Sequence, residues 1–396
     1  MSDRFHVTYE LTLDPGENPE KHIRALQLEQ SAELPEKVVH SLGMQHVMGS
    51  VSHIEQQDEH RTRVTIGWPS QNHGNEITQF LNVLFGNISL KQGIAIIDIR
   101  WEDVSTSAGL FGGPAMGITR IRKNWGVNDR ALSCTALKPM GLSTRELAEL
   151  TYQFALGGID IIKDDHGLAN QVTAPFAERV RQCVNAVDRA AQKTGRRSRY
   201  FPNITTEPQR VTERYEMAAE LGADGVLFAP MLSGPALMHH LARSSTELPI
   251  MAHPAFSGSL IAHGVGETEF DFPEAARHGS GRPLAYRHSN HGFEPGLLYG
   301  ALFRALGADF LIYPNTGGRF SFSRKVCEAI NREARRSDLP FAPSFPTPAG
   351  GMQRENMSFW LENYGKDTVF LIGGSLYEDP LGIEEAAKTV ASILNR

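Results

Sequence analysis

Lys163, Asp164, Asp165 and His166 stand consecutively in this chain. An amine, two carboxylates and an imidazole in one short run can converge on a hard divalent cation, with Asp165 supplying an oxygen and His166 a nitrogen. The same run would serve equally well as a structural ion pair. Two glycine pairs, Gly350-Gly351 and Gly373-Gly374, are a second candidate. Glycines there let backbone N–H groups reach a phosphate, although plain tight turns also favour glycine. Asn203 and His253 close two further apolar runs.

Each of these groups ends a short apolar stretch that is followed by an amphipathic pattern, the texture of a parallel sheet. The stretches are 131–136, 159–163, 199–205, 225–230, 249–253, 309–313, 341–345 and 368–373. Eight such units predict a (β/α)8 barrel, whose chemistry sits at the C-terminal strand ends. Ser143 with Glu146 is a capping box that opens the first helix, and Gly222 and Gly307 mark two helix stops. Ahead of the barrel, Val7, Tyr9, Leu11 and Leu13 alternate with polar residues, as do Val64, Ile66 and Trp68. With helical patterns at 19–29 and from Ile77 to Leu84, they predict a small α+β, ferredoxin-like domain over 1–125, leaving 126–396 to the barrel. The Gly-, Pro- and His-rich stretch 254–293 is far longer than an ordinary connection, and reads as a functional lid or an ordered insertion.

A length of 396 residues suits a barrel with a smaller partner domain, and 41% apolar with 21% charged residues suits an ordinary packed protein. The net charge of -6, with no long basic run, speaks against nucleic acid as a partner. Cys134, Cys183 and Cys327 are scattered and lack metal-ligand spacing, so they read as reduced, buried thiols. With neither a signal-peptide core nor a spanning segment in the pattern, the expected location is the cytoplasm, with no membrane partner.

The run from Gly157 to Asp165, GGIDIIKDD, resembles the strand-two signature of the ribulose-bisphosphate carboxylase large-chain family. Phe85-Gly86-Asn87, Cys134-Thr135, Lys138-Pro139, Gly141-Leu142-Ser143 and both glycine pairs follow in the family's order. By that resemblance, Lys163 reacts with CO2 to become a carbamate, and Asp165 is a carboxylate ligand of Mg2+ or another divalent metal. His253 matches the histidine closing strand five. Glu29 and Asn87 match residues that complete the partner subunit's site, which implies a homodimer or an assembly of dimers. Aligning on Cys134-Thr135 puts Leu137 at the general-base position, whereas aligning on Lys138-Pro139 puts Lys138 there. Lys138 is taken as the base, on the expectation that a buried lysine can abstract a proton near neutrality.

Departures from the family narrow the reading to a RuBisCO-like protein of form IV. His166 stands in place of the second carboxylate ligand, and Pro254 in place of a basic residue used for one phosphate. The strand-six loop Pro314–Phe320 has no lysine, with Arg319 as its cation and a candidate substrate contact. Carboxylation of a bisphosphate is therefore not expected. The expected activity passes through a metal-stabilised enediolate of a phosphorylated sugar or sugar acid. The leading expectation is decarboxylation, or transcarboxylation/hydrolysis, of 3-oxo-isoapionate 4-phosphate. The alternatives are isomerisation or enolisation of a methylthio-pentulose phosphate in methionine salvage, and a non-catalytic sugar-phosphate sensor.

Overall fold

The computed structural model describes residues 3–262 and 290–395. Along the chain run the strands β1 (Arg4–Thr12), β2 (Ser50–Gln56), β3 (Arg61–Pro69), β4 (Ile94–Ile99), β5 (Leu132–Leu137), β6 (Ile161–Asp164), β7 (Arg199–Phe201), β8 (Val226–Phe228), β9 (Ile250–Ala252), β10 (Gly292–Phe293), β11 (Phe310–Pro314), β12 (Phe345–Ala349) and β13 (Val369–Ile372). They fall into two compact units.

The first unit comprises Met1–Gly112, Ser257–Leu298 and Asp338–Pro340. Its sheet has the order β10-β4-β1-β3-β2. Without β10, the order β4-β1-β3-β2, with helices Pro19–Glu29 and Ile77–Phe85 between strands, is the expected ferredoxin-like arrangement. Val7, Tyr9 and Leu11 of β1 are buried, as are Val64, Ile66 and Trp68 of β3, because antiparallel pairing from Arg4↔Pro69 to Thr12↔Arg61 puts both alternations on one face. Sequence patterning gives no sign of β2: every residue of this edge strand is exposed, so no period-two burial marks it. Most of the stretch 254–293 lies outside the described residues. Its described flanks join this sheet, with β10 parallel to β4 and a bridge from Ile261 to Phe293.

The second unit comprises Gly113–Phe256, Tyr299–Ser337 and Phe341–Arg396. Its eight parallel strands run β7-β6-β5-β13-β12-β11-β9-β8, and the Asn203↔Leu227 bridge joins the two ends into a barrel. Seven of the eight expected strands recur within a few residues. The seventh does not: 341–345 was expected, and β12 is Phe345–Ala349. The cause is Pro346 and Pro348, which a sequence reading counts against a strand. Phe345 N–H donates toward β11, to Asp309 O at 2.8 Å, so the alternate prolines fall on the β13 side, where pairing shrinks to Ala349↔Leu371.

The helix Gly117–Trp125 also departs from expectation, because it belongs to the barrel unit rather than to a domain ending at 125. Its Ile118 and Ile121 pack into the barrel core with Leu132, Phe201, Phe310 and Phe345. Buried Asp309, just ahead of β11, fixes this end of the barrel: it accepts from Met116 N (3.0 Å), Gly117 N (2.8 Å) and Ile250 N (3.0 Å). We expect Asp309→Ala to destabilise the protein by about 2–6 kcal/mol, since it orphans the buried N–H groups of Gly117 and Ile250 at roughly 1–3 kcal/mol each, besides the half-buried Met116 N–H. Urea unfolding would measure it; a loss under ~1 kcal/mol would mean that the helix end is held otherwise. All three cysteines are free and buried, and among the described residues no helix is long and apolar enough to cross a membrane.

Candidate active site

Successive side chains of a strand alternate sides, and β6 uses this to separate two jobs. Lys163 is 2% exposed and donates to the Asp164 carbonyl at 3.0 Å. Burial pulls its amine below the ordinary lysine range, against the opposing charge of Asp165. Asp164, fully buried, faces away from this group. It accepts from Arg179 Nε of helix Phe176–Thr194 (3.1 Å), Tyr200 Oη (2.7 Å) and Asn203 N (2.9 Å). The structural ion pair open to this run is thus made by Asp164 with Arg179.

Asp165 Oδ1 lies 3.3 Å from Lys138 Nζ and 3.6 Å from His166 Nδ1. Burial alone would raise the Asp165 carboxyl; His166, Lys163 and Lys138 together hold it well below the usual range. Lys138 is not the buried lysine expected from sequence, its side chain being 41% exposed. Its backbone is fixed instead: Lys138 N donates to Tyr377 Oη (2.9 Å), and that hydroxyl donates to Ala136 O (2.9 Å). The rings of His166 and His253 stack at 4.5 Å. Burial, helped by the charges of Lys163 and His166, holds His253 far below the ordinary imidazole value, so it is neutral at pH 7. Its Nδ1 accepts from Ala255 N at 3.1 Å, which assigns the ring proton to Nε2. Buried Asn203 holds the intervening loop, donating to His166 O (3.0 Å) and Leu168 O (2.9 Å). Lys138, Lys163, Asp165, His166 and His253 thus form one group at the strand ends.

The glycine loops differ from each other. A side chain on Gly351 would meet Thr316 O at 2.7 Å and Gly317 C at 2.9 Å, so the loop after β12 is glycine partly because it packs on the loop after β11. Tight packing therefore competes there with the phosphate reading. At Gly373 nothing lies within 4 Å of a would-be Cβ, which leaves room for a ligand to approach the backbone. Arg319 is exposed on the loop after β11. That loop is anchored by buried Asn315, which donates from N to Ala349 O (2.9 Å) and accepts from Tyr364 Oη (2.7 Å).

Glu29 and Asn87 meet within the first unit, with Asn87 Nδ2 donating to Glu29 Oε1 at 3.0 Å. Buried Gln30 brings them together by donating to Asn82 O (2.8 Å) and Val83 O (2.7 Å) and accepting from Ile88 N (3.3 Å). Sequence reasoning missed the roles of Gln30, Tyr377 and Asn315. Each bonds to main chain or to a residue far along the chain, which no local motif encodes.

Among the described residues no three of His, Cys, Asp and Glu come close enough to hold a metal ion. The native donors, Asp165 and His166, are one anionic oxygen and one nitrogen, short of the oxygen-rich set that a hard cation takes. A carbamate on Lys163 would add a second anionic oxygen. The low-lying pKa of this amine suits that reaction, since the free base attacks CO2 and releases a proton.

A chain with a ferredoxin-like unit, an eight-stranded barrel and lysines, acid and histidines at the barrel's strand ends defines a class, and comparison with known proteins agrees. The family model "Ribulose bisphosphate carboxylase large chain, catalytic domain" matches residues 117–264. A 5-methylthioribulose-1-phosphate isomerase of Rhodospirillum rubrum is 35% identical over 99% of this chain and 97% of its own. The chain belongs to the ribulose bisphosphate carboxylase large-chain family, among the RuBisCO-like proteins. A 2,3-diketo-5-methylthiopentyl-1-phosphate enolase of Bacillus pumilus is 31% identical, over 85% of this chain and 76% of that protein. The crystal structure of a Rubisco-like protein from Rhodopseudomonas palustris superposes with a TM-score of 0.83 at 32% identity, covering 100% of this chain and 98% of the other. The names of these relatives favour the enolising alternative over the decarboxylase expected first.

Proposed function

We propose that this chain enolises a ketose monophosphate, most specifically a methylthio-pentulose 1-phosphate, and isomerises it by proton transfer. The carrying observation is the strand-end group in which Lys138 Nζ lies 3.3 Å from Asp165 beside buried Lys163 and the stacked His166 and His253. A divalent cation, Mg2+ by the family's habit, would be held by Asp165, His166 and a Lys163 carbamate, and would draw electrons from the substrate's ketone. Lys138 Nζ, when unprotonated, takes a proton from the carbon beside that ketone. The C–H electrons form a C=C bond as the ketone's π pair moves onto its oxygen; return of the proton to the former carbonyl carbon, as the adjacent hydroxyl passes its proton to that oxygen and becomes the new C=O, completes an isomerisation. Neutral His253 offers its Nε2–H to an oxygen on which negative charge develops. The N–H groups at Gly373-Gly374, with Gly350-Gly351 beside them, bind the phosphate. We take the assembly to be a homodimer in which Glu29 and Asn87 complete the neighbour's site.

The test is a paired assay of purified protein with Mg2+. In D2O we expect deuterium uptake and isomer formation from 5-methylthioribulose 1-phosphate, no CO2 release from 3-oxo-isoapionate 4-phosphate, and no CO2 uptake with ribulose 1,5-bisphosphate. Robust CO2 release would restore the decarboxylase, and silence with all three would favour the sensor.

A further inference from the structure

Phe256, three residues beyond His253, has φ +67° and is 74% exposed. A bulky side chain on left-handed backbone is a true outlier, and such strain persists where surrounding structure and function hold it. The loop it occupies, Pro254-Ala255-Phe256, carries no cation, and Ala255 N ties its first turn to His253 Nδ1 at 3.1 Å. The loop after β11, the sheet neighbour of β9, also presents an aromatic ring to solvent, with Phe320 78% exposed. Two adjacent strand-end loops therefore expose phenylalanine.

We infer that Phe256 determines specificity by packing against an apolar tail, alkyl or alkylthio, at the end of the substrate remote from its phosphate. This rests on the enolising reading above. A ketose anchored at the glycine loops after β12 and β13, and reacting beside Lys138 and Asp165, has its far end toward the remaining strand ends. The loop after β9 starts at His253, itself a member of the group, so Phe256 is the first bulky apolar side chain beyond it. Against Pro254-Ala255-Phe256 a phosphate or carboxylate would find no positive partner and would lose its water against an aromatic ring, whereas a methylthio group gains contact. The substrate class that follows is a ketose with one phosphate and one apolar end.

The experiment compares 5-methylthioribulose 1-phosphate with ribulose 1-phosphate, which has a hydroxyl in place of the tail, in the natural protein, Phe256→Gly and Phe256→Tyr. Glycine accepts the left-handed backbone, so the first variant removes the ring without adding strain. We expect the ratio of kcat/KM for the tailed over the tailless substrate to fall about 10-fold in Phe256→Gly, the scale of a small apolar group in a pocket, and to be largely kept in Phe256→Tyr. The ratio of Kd values by equilibrium binding should fall in parallel. A ratio unchanged within 2-fold overturns the inference. So does equal loss on both substrates with dissociation of the assembly in sedimentation, which would make Phe256 a subunit contact. If neither substrate turns over but the Kd ratio still depends on Phe256, the enolising reaction fails and the inference stands. If neither binds, both fall.

Discussion

Lys163→Ala is expected to lose turnover by about 10^3-fold or more and to lose measurable affinity for Mg2+ and Mn2+, because a bound cation stabilises developing charge by several kcal/mol. The fold should survive. Lys163 is a buried amine at a strand end that donates to its neighbour's carbonyl at 3.0 Å, and burial already disfavours its charge. Truncation removes a desolvated polar group at the cost of a small cavity, so the thermal midpoint should hold or rise. Calorimetry with each cation, alongside 13C NMR under 13CO2, checks both halves. The natural protein should show a carbamate resonance that Lys163→Ala lacks. Cation affinity unchanged in the variant would sink the carbamate and leave Asp165 with His166 as the whole site.

The second large effect is a recovery. Lys138→Met removes the proposed base and should cost about 10^2- to 10^4-fold in kcat, as general bases do. Asn87→Ala removes the amide that donates to Glu29, in a different unit of the fold, and should also be nearly inactive. If Glu29 and Asn87 serve the neighbouring subunit, mixing the two variants builds one intact site in each hybrid dimer. Random exchange then restores about a quarter of the natural activity, since half the dimers are hybrids with one good site of two. Subunit exchange is verified by mass spectrometry of differently tagged chains. Proven exchange with no recovery would place each site within a single chain.

Local sequence was enough for whatever repeats at short range. Alternation in β1 and β3, the eight strand-helix units and the Ser143 capping box follow from periodicity and local hydrogen bonding, which adjacent residues determine by themselves. So did the residue types at the strand ends, because the barrel's topology puts the C-terminal residues of every strand on one face. The tertiary structure alone decided which of them face each other. Asp164 and Asp165 are indistinguishable in sequence, yet one is spent on Arg179 and Tyr200 and the other meets Lys138, because side-chain alternation acts on a strand whose exact end is fixed by its neighbours. The helix Gly117–Trp125 has an ordinary amphipathic pattern; long-range contacts assign it to the barrel, among them the bond from Gly117 N to Asp309, nearly two hundred residues later. The seventh strand was hidden by Pro346 and Pro348, tolerated because the missing N–H groups lie on the side where pairing with β13 is sparse. Phe256 carries no motif, and its left-handed backbone, with φ +67°, is visible only in the structure.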